Sequence, residues 1–510
     1  MASVARTLMI QGTGSSVGKS LLVTALCRIL RQDGYDVAPF KAQNMSLNSF
    51  VTPDGAEIGR SQAVQAEAAG VLPSVDMNPV LLKPEVDYRS QLVVMGKPVG
   101  HLESKNFNRR KEGLWETVIG ALDRLRSEYE VVVIEGAGSP AEINLRQGDI
   151  VNMEVALYSN SPVLLVGDID KGGIFASLYG TVCLIATEER ALIKGVVINK
   201  FRGDVEILKP GLTQLEEMID VPVLGVVPYF RDIYIPEEDS PSAENISHAT
   251  DDAVLDVAVI ALPHIANFDD FDPLKRDAGV NLRYVRSPDD LGSPDLVILP
   301  GTKTTVSDLN YLDRSGLAKR IRQLARDGAA IIGICGGYQM LGESIRDPLG
   351  VESNNSEVRG PGLLPVTTTF VPEKETHQVV GTSASGVGLL EGSEGLSFEG
   401  YEIHMGNSRP SNEHSENNRP FRIATRSGVP VDGFDGALSE DGWVFGTYVH
   451  GLFLNTELRR SILSRIASRK GVGTDFTADD FSQSEEFDKL AALMRDSLDM
   501  DAIYAIAGLG

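Results

Sequence analysis

The chain has 510 residues, of which 42% are hydrophobic and 23% charged, so a folded core is expected rather than disorder throughout. At roughly 150 residues per domain, this length predicts about two to four domains. The 47 Lys and Arg against 71 Asp and Glu give a formal net charge of −24, which disfavours nucleic acid and anionic membranes as partners. A site for an anionic ligand must therefore be built locally.

The N-terminal residues predict a first strand rather than a targeting segment. One early Arg and a short apolar stretch lead directly into a glycine loop, without the longer apolar region of a signal peptide. No apolar run reaches about 18 residues, so no membrane-spanning helix is predicted. The three cysteines, Cys27, Cys183 and Cys335, are too scattered for a disulfide scaffold or a zinc cluster, which fits a reducing cytoplasm. Cys27 and Cys183 lie in apolar patterns and are expected in the core.

Continuous apolar runs alternate with helical patterns through the first half of the chain. Strands of this kind are buried on both faces, which predicts a parallel sheet covered by helices, an α/β doubly wound fold. The predicted strands are Thr7–Ile10, Val131–Ile134, Val163–Val166, Val196–Ile198 and Val223–Val227.

A glycine-rich loop, Gly12–Ser20, separates the first predicted strand from a helical pattern. A strand, a glycine loop and a helix in this order form a phosphate-binding loop, in which backbone N–H groups converge on phosphate oxygens. Lys19 is expected to meet the β- and γ-phosphates of ATP, and the Ser20 hydroxyl is placed for Mg²⁺. The remaining predicted nucleotide contacts in the loop are Gly12, Thr13, Gly14, Ser15, Val17 and Gly18.

The loop departs from the common spacing, because Thr13 occupies the first glycine position and Gly12 lies one residue earlier. In this it resembles the variant loop of dethiobiotin synthetase and its relatives, and not that of GTPases or motor ATPases. Partition and division-site ATPases carry a second lysine where this chain has Gly14, which argues against that class.

Two polar residues follow other buried strands of the first half. Glu135 ends one strand at the sheet edge where ligands bind, and its carboxylate can complete a Mg²⁺ shell with Ser20. Asn199 ends another, where its amide either reads the adenine edge or belongs to an ordinary turn. Asp54 and Glu57 are possibilities for a second Mg²⁺ carboxylate.

The second half repeats the α/β pattern after a segment without periodicity. We predict a phosphate-loop domain over 1–235, an acidic linker over 236–253, and a second α/β domain over 254–467. Residues 468–510 are expected to form helices packed on that second domain. The predicted strands are Asp256–Leu262, Leu296–Leu299, Ala329–Ile334 and Trp443–Val449.

Cys335 lies between a buried strand and a helical pattern, with glycines on both sides. This is the pattern of a nucleophile elbow, in which the helix N-terminus stabilises the thiolate. We expect the N–H of Gly336 and the loop at Gly301 to hold an oxyanion. His450 ends a strand as a catalytic base would, and His404 is the competing candidate.

The motif GICGGYQ with His450 resembles the class I glutamine amidotransferase domain. Behind a phosphate-loop domain of the dethiobiotin synthetase type, it makes the whole chain resemble the cobyric acid synthase family. The matching segments are QGTGSSVGKS, FKAQNMSLNS, EGAGSPAEINL, GDIDKGGIFAS, NKFRGD, LPHIANFDDFDPL, PGTKTT, GYEIHMG and GTYVHGLF. The resemblance implies two doubly wound domains, the second of them flavodoxin-like.

The resemblance also implies an activity and its partners. It implies ATP- and Mg²⁺-dependent amidation of the b, d, e and g carboxylates of adenosylcobyrinic acid a,c-diamide, with L-glutamine as nitrogen donor. The family is said to lack the usual third triad residue, and here Leu452 stands where other class I domains carry Glu. A Cys335–His450 dyad and a protected ammonia path between two sites are therefore expected.

Two alternative functions remain open. Cobyrinic acid a,c-diamide synthase shares both domains, although the segment QNMSLNS favours the first choice by resemblance. A nucleotide-dependent switch protein with a regulatory second domain is disfavoured by Gly14 and the elbow. Lys41, Lys83 and Arg89 either contact corrin carboxylates or form solvated surface, and the oligomeric state is not predicted.

Overall fold

The structure is a computed structural model that describes residues 4–85, 89–103, 107–146, 148–236, 253–411, 418–473, 476 and 481–510. Of the predicted linker 236–253, all but the two end residues lie outside the described residues. No helix within the described ranges is long and apolar enough to cross a membrane.

The elements of the first half build one parallel sheet with two smaller sheets beside it. In chain order they are β1 (Arg6–Gly12), α1 (Lys19–Gln32), β2 (Val37–Phe40), β3 (Gln43–Met45), β4 (Ser49–Val51), β5 (Glu57–Gly59), α2 (Arg60–Ala69), β6 (Val80–Pro84), β7 (Arg89–Val94), β8 (Lys97–Glu103), α3 (Phe107–Glu128), β9 (Val131–Glu135), α4 (Met153–Ser159), β10 (Val163–Asp168), α5 (Ile174–Leu184), α6 (Thr187–Arg190), β11 (Ile193–Phe201), α7 (Val205–Ile219) and β12 (Val223–Pro228). The parallel sheet has the strand order β12-β11-β10-β1-β9-β2. Strands β3, β6, β7 and β8 form the second sheet, and β4 pairs with β5.

The elements of the second half form another parallel sheet and a long antiparallel sheet. In chain order they are β13 (Leu255–Ile260), α8 (Asp272–Arg276), β14 (Val280–Val285), α9 (Pro288–Leu291), β15 (Leu296–Leu299), α10 (Thr305–Ser315), α11 (Leu317–Arg326), β16 (Ala330–Ile334), α12 (Gly336–Leu341), β17 (Ser344–Arg346), β18 (Glu357–Arg359), β19 (Val366–Ser383), β20 (Ser397–Pro410), β21 (Phe421–Arg426), β22 (Val429–Asp435), β23 (Ala437–Leu438), β24 (Val444–Thr447), β25 (Val449–His450), α13 (Thr456–Lys470), α14 (Gln483–Ser497) and α15 (Met500–Ala507). The first of these sheets has the order β14-β13-β15-β16-β24-β23, parallel apart from its edge strand β23. The second is built on the β19–β20 hairpin.

Both parallel sheets confirm the predicted α/β fold class. The apolar strands of each sheet are buried, and helices pack on both of its faces. Strands with continuous rather than alternating hydrophobicity are typical of such a sheet. We call the first sheet with its helices the first unit, and the second sheet with its helices and the β19–β20 hairpin the second unit. The hairpin was not predicted, because β19 contains the charged run EKE and alternates between buried and exposed residues.

The last two helices pack on the first unit, so the prediction that residues 468–510 pack on the second domain is wrong for them. Phe487 and Leu490 lie in the core formed by α1 and the first sheet. Arg28 on α1 pairs with Asp488 on α14 at 2.7 Å. Phe476, by contrast, packs in the core of the second unit. An amphipathic pattern predicts an apolar face but does not specify which sheet that face covers.

The two scattered cysteines differ in their surroundings. Cys27 is buried in the core, as predicted, and burial together with the charge of Glu135 raises the pKa of its thiol. Cys183 is exposed on α5, which corrects the prediction of a core position. Helix α5 has apolar residues around much of its circumference, with Phe175 and Tyr179 also exposed, so its sequence does not separate the buried face from the outer one.

A buried ion cluster of Glu57, Lys83 and Lys374 joins the two units. The Glu57 carboxylate accepts hydrogen bonds from Lys83 of the first unit at 2.7 Å and from Lys374 of the second. Burial alone would raise the pKa of Glu57, but the two ammonium groups outweigh it and lower the pKa. Beside this cluster the Thr376 hydroxyl donates to the Gly55 carbonyl at 2.7 Å.

Candidate active sites

In the glycine loop between β1 and α1, the lysine side chain hydrogen-bonds to backbone carbonyls of the loop and of a neighbouring segment. The Lys19 ammonium donates to the carbonyl of Gly14 at 2.7 Å and to that of Gly138 at 3.3 Å. Gly18 has φ +99°, and a Cβ there would lie 2.0 Å from the Asn199 amide nitrogen. The loop can adopt this conformation only with glycine at that position.

The amide of Asn199 holds the loop in place. Its nitrogen donates to the Val17 carbonyl at 2.8 Å, and its oxygen accepts the N–H of Lys200 at 2.8 Å. These contacts show that the Asn199 amide supports the turn and the loop, and its expected contact with an adenine edge stays a prediction. Lys200 also donates to the Ser16 carbonyl at 2.7 Å and to Asp168 at 2.9 Å. Sequence reasoning missed this pair, although each residue lies two positions beyond a predicted strand.

The other predicted nucleotide contacts lie along the same loop. Gly12 is buried, and a Cβ there would lie 2.6 Å from the Val17 side chain. The Thr13 N–H continues the sheet by donating to the carbonyl of Val166 at 3.0 Å. Ser15 is exposed at the tip. The loop therefore presents its tip to solvent at the carboxyl edge of the sheet, where ligands of such sheets bind.

Glu135 is the centre of the polar contacts beside the loop. One carboxylate oxygen accepts the Ser20 hydroxyl at 2.8 Å and pairs with Lys41 at 2.9 Å, and the other accepts the Gln65 amide at 2.6 Å. Burial alone would raise the pKa of Glu135, but the Lys41 ammonium and the hydrogen bonds outweigh it and lower the pKa. A hydroxyl facing an ionised carboxylate supplies hard oxygen donors, so these residues fit Mg²⁺.

The further acids and cations suggested by the sequence have partners elsewhere. Asp54 accepts a threonine hydroxyl within its own turn, and Glu57 belongs to the buried ion cluster with Lys83. Arg89 pairs with Glu85 at 2.8 Å. These side chains therefore do not present uncompensated charge beside the phosphate loop.

Cys335 lies at a sharp turn between β16 and α12, with φ +50°. Positive φ in a residue other than glycine is strained and is typical of a nucleophile elbow. A Cβ on Gly336 would lie 3.1 Å from the Thr302 nitrogen, so the start of α12 runs against the 301–302 loop. On the other side, a Cβ on Gly301 would lie 3.0 Å from the His450 ring. The predicted oxyanion residues Gly336 and Gly301 therefore lie together around the thiol.

His450 receives its orientation from Asp270, a residue that sequence reasoning missed. Its Nδ1 lies 2.6 Å from one Asp270 oxygen, and the other oxygen accepts the Gly451 N–H at 2.9 Å. Burial alone would lower the pKa of His450, but Asp270 and a hydrogen bond with Cys335 outweigh it and raise the pKa to about 10. Asp270 thus supplies a carboxylate where Leu452 supplies none, and His450 contacts both Asp270 and Cys335.

The competing histidine, His404, is in a different electrostatic state. It stacks on Tyr448 with ring centroids 3.6 Å apart, and its Nδ1 lies 3.2 Å from the Gly406 carbonyl. Burial lowers the pKa of His404 to about 3, so its ring is neutral at physiological pH. His450 is therefore the imidazole that can exchange protons with the thiol.

A cavity of about 970 Å³ opens onto the thiol and is lined by both units. The second unit contributes Cys335, His450 and Thr302, and the first contributes Lys83, Gln91 and His101. Within the described residues, the buried side-chain oxygen of Gln91 has no hydrogen-bond partner. The thiol is thus reachable by a small polar ligand, in a space that extends towards the first unit.

Two family models match the chain, one on each unit. Residues 8–241 match the CobQ/CobB/MinD/ParA nucleotide binding domain, and residues 256–458 match the CobB/CobQ-like glutamine amidotransferase domain. Two cobyric acid synthases are among the similar curated proteins. The one from Dehalococcoides mccartyi (strain CBDB1) is 50% identical over 507 residues, covering 99% of this chain and 100% of the relative. The one from Thermoanaerobacter sp. (strain X514) is 50% identical, with 99% of each covered.

Proposed function

Since this chain belongs to the cobyric acid synthase family, we propose that it makes adenosylcobyric acid in cobalamin biosynthesis. The reaction amidates the b, d, e and g carboxylates of adenosylcobyrinic acid a,c-diamide, with L-glutamine as nitrogen donor and ATP as energy source. The observation that carries the proposal is the Cys335–His450–Asp270 triad on a cavity lined by both units, with a phosphate loop in the other unit.

Nitrogen release is assigned to the triad. The Cys335 thiolate attacks the glutamine amide carbon, forming an S–C bond while the backbone N–H groups near Gly336 and Gly301 hold the oxyanion. His450 gives its proton to the departing nitrogen as the C–N bond breaks, and it then takes a proton from the water that cleaves the thioester. Asp270 holds the imidazole in the required tautomer and stabilises its protonated form.

The raised pKa of His450 supports this order of events. With a pKa of about 10, the imidazole is protonated at neutral pH, so an imidazolium already lies beside Cys335 before glutamine arrives. The same imidazolium is then in place to protonate the leaving ammonia. The triad therefore needs no preliminary proton transfer from bulk water to begin acylation.

Carboxylate activation is assigned to the first unit. A corrin carboxylate oxygen attacks the γ-phosphorus of ATP, the bond to ADP breaks, and an acyl phosphate results. Lys19 is the point charge for the transferring phosphoryl group, and the glycine loop supplies N–H groups. Ser20 and Glu135 would hold Mg²⁺, which when bound neutralises phosphate charge. Ammonia then displaces phosphate from the acyl carbon.

Placing both sites in one chain protects the nucleophile. Ammonia in neutral water is mostly protonated and has no lone pair for attack, so direct transfer preserves the reactive form. The cavity beside Cys335 supports such a transfer, because Lys83, Gln91 and His101 of the first unit form part of its wall. We propose that ammonia leaves the triad on this side.

Mass spectrometry of the corrin product tests the proposal directly. The protein is incubated with ATP, Mg²⁺, amide-¹⁵N-glutamine and either adenosylcobyrinic acid a,c-diamide or cobyrinic acid. Four labelled nitrogens gained by the a,c-diamide support the proposal. Two labelled nitrogens gained by cobyrinic acid, and none by the a,c-diamide, would instead identify the a,c-diamide synthase.

A further inference from the structure

Helix α2 contacts both sites through its own side chains. The Gln65 amide donates to the Glu135 carboxylate of the phosphate site at 2.6 Å. At the start of the helix, Arg60 pairs with Asp269 at 2.8 Å, directly beside Asp270 of the triad. The two α2 residues are five positions apart, about 7.5 Å along a helix axis. One short helix thus spans the distance between a nucleotide carboxylate and the carboxylate that orients His450.

The Arg60–Asp269 pair is buried at the boundary between the units. The two side chains are 15% and 9% exposed, and neither Arg60 Nε nor the second oxygen of Asp269 has a hydrogen-bond partner among the described residues, so the 2.8 Å contact is an ion pair without hydrogen-bond geometry. The guanidinium is therefore the main compensation for a carboxylate that adjoins Asp270. Displacing Arg60 would leave an uncompensated charge next to the triad, which is strongly unfavourable in a buried position.

Arg60 also reaches the imidazole through aromatic side chains. Its guanidinium lies 5.4 Å from the centroid of the Phe50 ring, which in turn lies 5.8 Å from that of Tyr401. Tyr401 stacks on His450 with centroids 5.1 Å apart and an interplanar angle of 14°. Arg60 is thus connected to the His450 ring in two ways. Phe50 and Tyr401 lead to the face of the ring, and Asp269 and Asp270 lead to its Nδ1 edge.

The loop that carries Asp270 is fixed by the first unit. The Asn267 N–H donates to the Asn48 side chain at 2.7 Å, and the Asn267 side-chain oxygen accepts the Ser49 N–H at 3.1 Å. The Asn267 amide also donates to the Tyr401 hydroxyl at 2.7 Å. Residues of the first unit therefore set the position of a triad member that belongs to the second unit.

Helix α2 is packed as a rigid body. Eight of its ten residues are buried. It begins after Gly59, where a Cβ would lie 2.4 Å from the Asn44 amide nitrogen. Close packing of this kind leaves little room for one end of the helix to move without the other.

We infer that α2 couples the two sites. Arg60 is a positioning residue that acts on His450 through Asp270. Gln65 senses the state of the Glu135 carboxylate at the phosphate site. On nucleotide binding, Ser20 and Glu135 exchange their mutual hydrogen bond for contacts to the ligand. Gln65 follows, because it holds the other oxygen of the same carboxylate. Since coupling free energy is reciprocal, nucleotide and glutamine must change each other's affinity by the same factor. The inference rests on the proposed function, which places nucleotide at one site and glutamine at the other.

The test measures that factor by calorimetry in a protein that cannot turn over. In a Cys335→Ala background, the Kd of a non-hydrolysable ATP analogue with Mg²⁺ is measured with and without saturating L-glutamine. We expect the two values to differ by about fivefold or more. Added Arg60→Ala or Gln65→Ala should bring their ratio to within about twofold of one, and Arg60→Lys should leave an intermediate ratio.

The matched control is Arg28→Ala, which removes an arginine that is 18% exposed, pairs with Asp488 at 2.7 Å and lies nine positions after Lys19, about 13 Å along the axis of α1. It should retain the parental ratio. Two outcomes overturn the inference while leaving the proposed function standing. In one, the two Kd values are equal in the protein with an unchanged α2. In the other, Gln65→Ala and Arg60→Lys both keep the parental ratio of the two Kd values. If one ligand fails to bind at all, the proposed function is contradicted and the inference with it. Should Arg60→Ala not fold, the other two variants decide the result.

Discussion

The phosphate site and the thiol site differ in how far they are assembled before substrates arrive. Around the thiol, Cys335, His450 and Asp270 already form a hydrogen-bonded line beside a cavity. Around the phosphate loop, Lys19 donates to backbone carbonyls and Glu135 is bound by neighbouring side chains. The first arrangement is preorganised for catalysis, whereas the second must exchange internal contacts for ligand contacts. Ligand binding is therefore expected to rearrange more side-chain contacts at the phosphate site than at the thiol site.

The sharpest way to separate the sites is to remove the nucleophile. Cys335→Ala should lower glutamine-dependent amidation by at least about ten-thousandfold, because the S–C bond can no longer form. Amidation driven by added ammonium salts should persist near the parental rate, since the phosphate site is untouched. Amide formation from each nitrogen source is measured by mass spectrometry, with Cys183→Ser as an exposed control. Equal loss of both activities in a folded protein would refute the division into two sites.

Removing the phosphate-loop cation should produce the opposite separation. Lys19→Ala is expected to lower amidation about 100- to 1000-fold with either nitrogen source, because the transferring phosphoryl group loses its point charge. Glutamate release by the triad should change far less. Both products are quantified in one assay, and Lys209→Ala on the exposed face of α7 is the control. Selective loss of glutamate release would contradict this assignment of Lys19.

Asp270→Asn tests the preorganisation of the triad itself. We expect at least about a hundredfold lower kcat for glutamate release, because the amide cannot stabilise the imidazolium as a carboxylate does. Asp270 raises the pKa of His450, so its neutralisation must lower that pKa and move the basic limb of the pH–rate profile to lower pH. Rates across pH 6 to about 11 measure the shift. An unchanged basic limb would remove Asp270 from the triad.

The smallest effect on activity is expected from a substitution in the C-terminal helices, which tests which of the two units these helices stabilise. Leu490→Ala opens a cavity in the core of the first unit and should destabilise it by about 2–5 kcal/mol. On heating, nucleotide binding should then be lost before glutaminase activity. Thermal unfolding and both activities are followed with temperature, with exposed Leu454→Ala as the control. Earlier loss of glutaminase activity would mean that the helix supports the second unit.

Local sequence predicts those parts of the molecule whose signals are themselves local. The glycine loop with Lys19 and the elbow at Cys335 each need a strand, a tight turn and a helix within a short segment, so their residues identify them. His450 could be chosen over His404 only weakly, by its position at a strand end. Their difference in protonation depends on burial and on a distant carboxylate, which no local pattern encodes.

The features that escaped prediction all depend on contacts between distant parts of the chain. Asp270 lies 180 positions before His450, within an acidic segment in which several carboxylates are equally plausible partners. The C-terminal helices were placed on the wrong unit for the same reason. Leu490 indicates that its helix has an apolar face, but not which sheet that face covers. Helix α2 gives no sign of its double contact until Arg60 and Gln65 are seen in space.

The Glu57 cluster has a consequence for how such an enzyme can be divided. Glu57 and Lys83 come from one side of the boundary and Lys374 from the other, and all three are buried. Produced as separate polypeptides, one piece would carry the Glu57–Lys83 ion pair and the other Lys374 without this carboxylate, and all three groups would become exposed to solvent. Burying all three again on mixing restores their pairing, so fragments should reassociate specifically and more weakly at high salt. The buried ion cluster would thus make the association of the two pieces both stronger and specific.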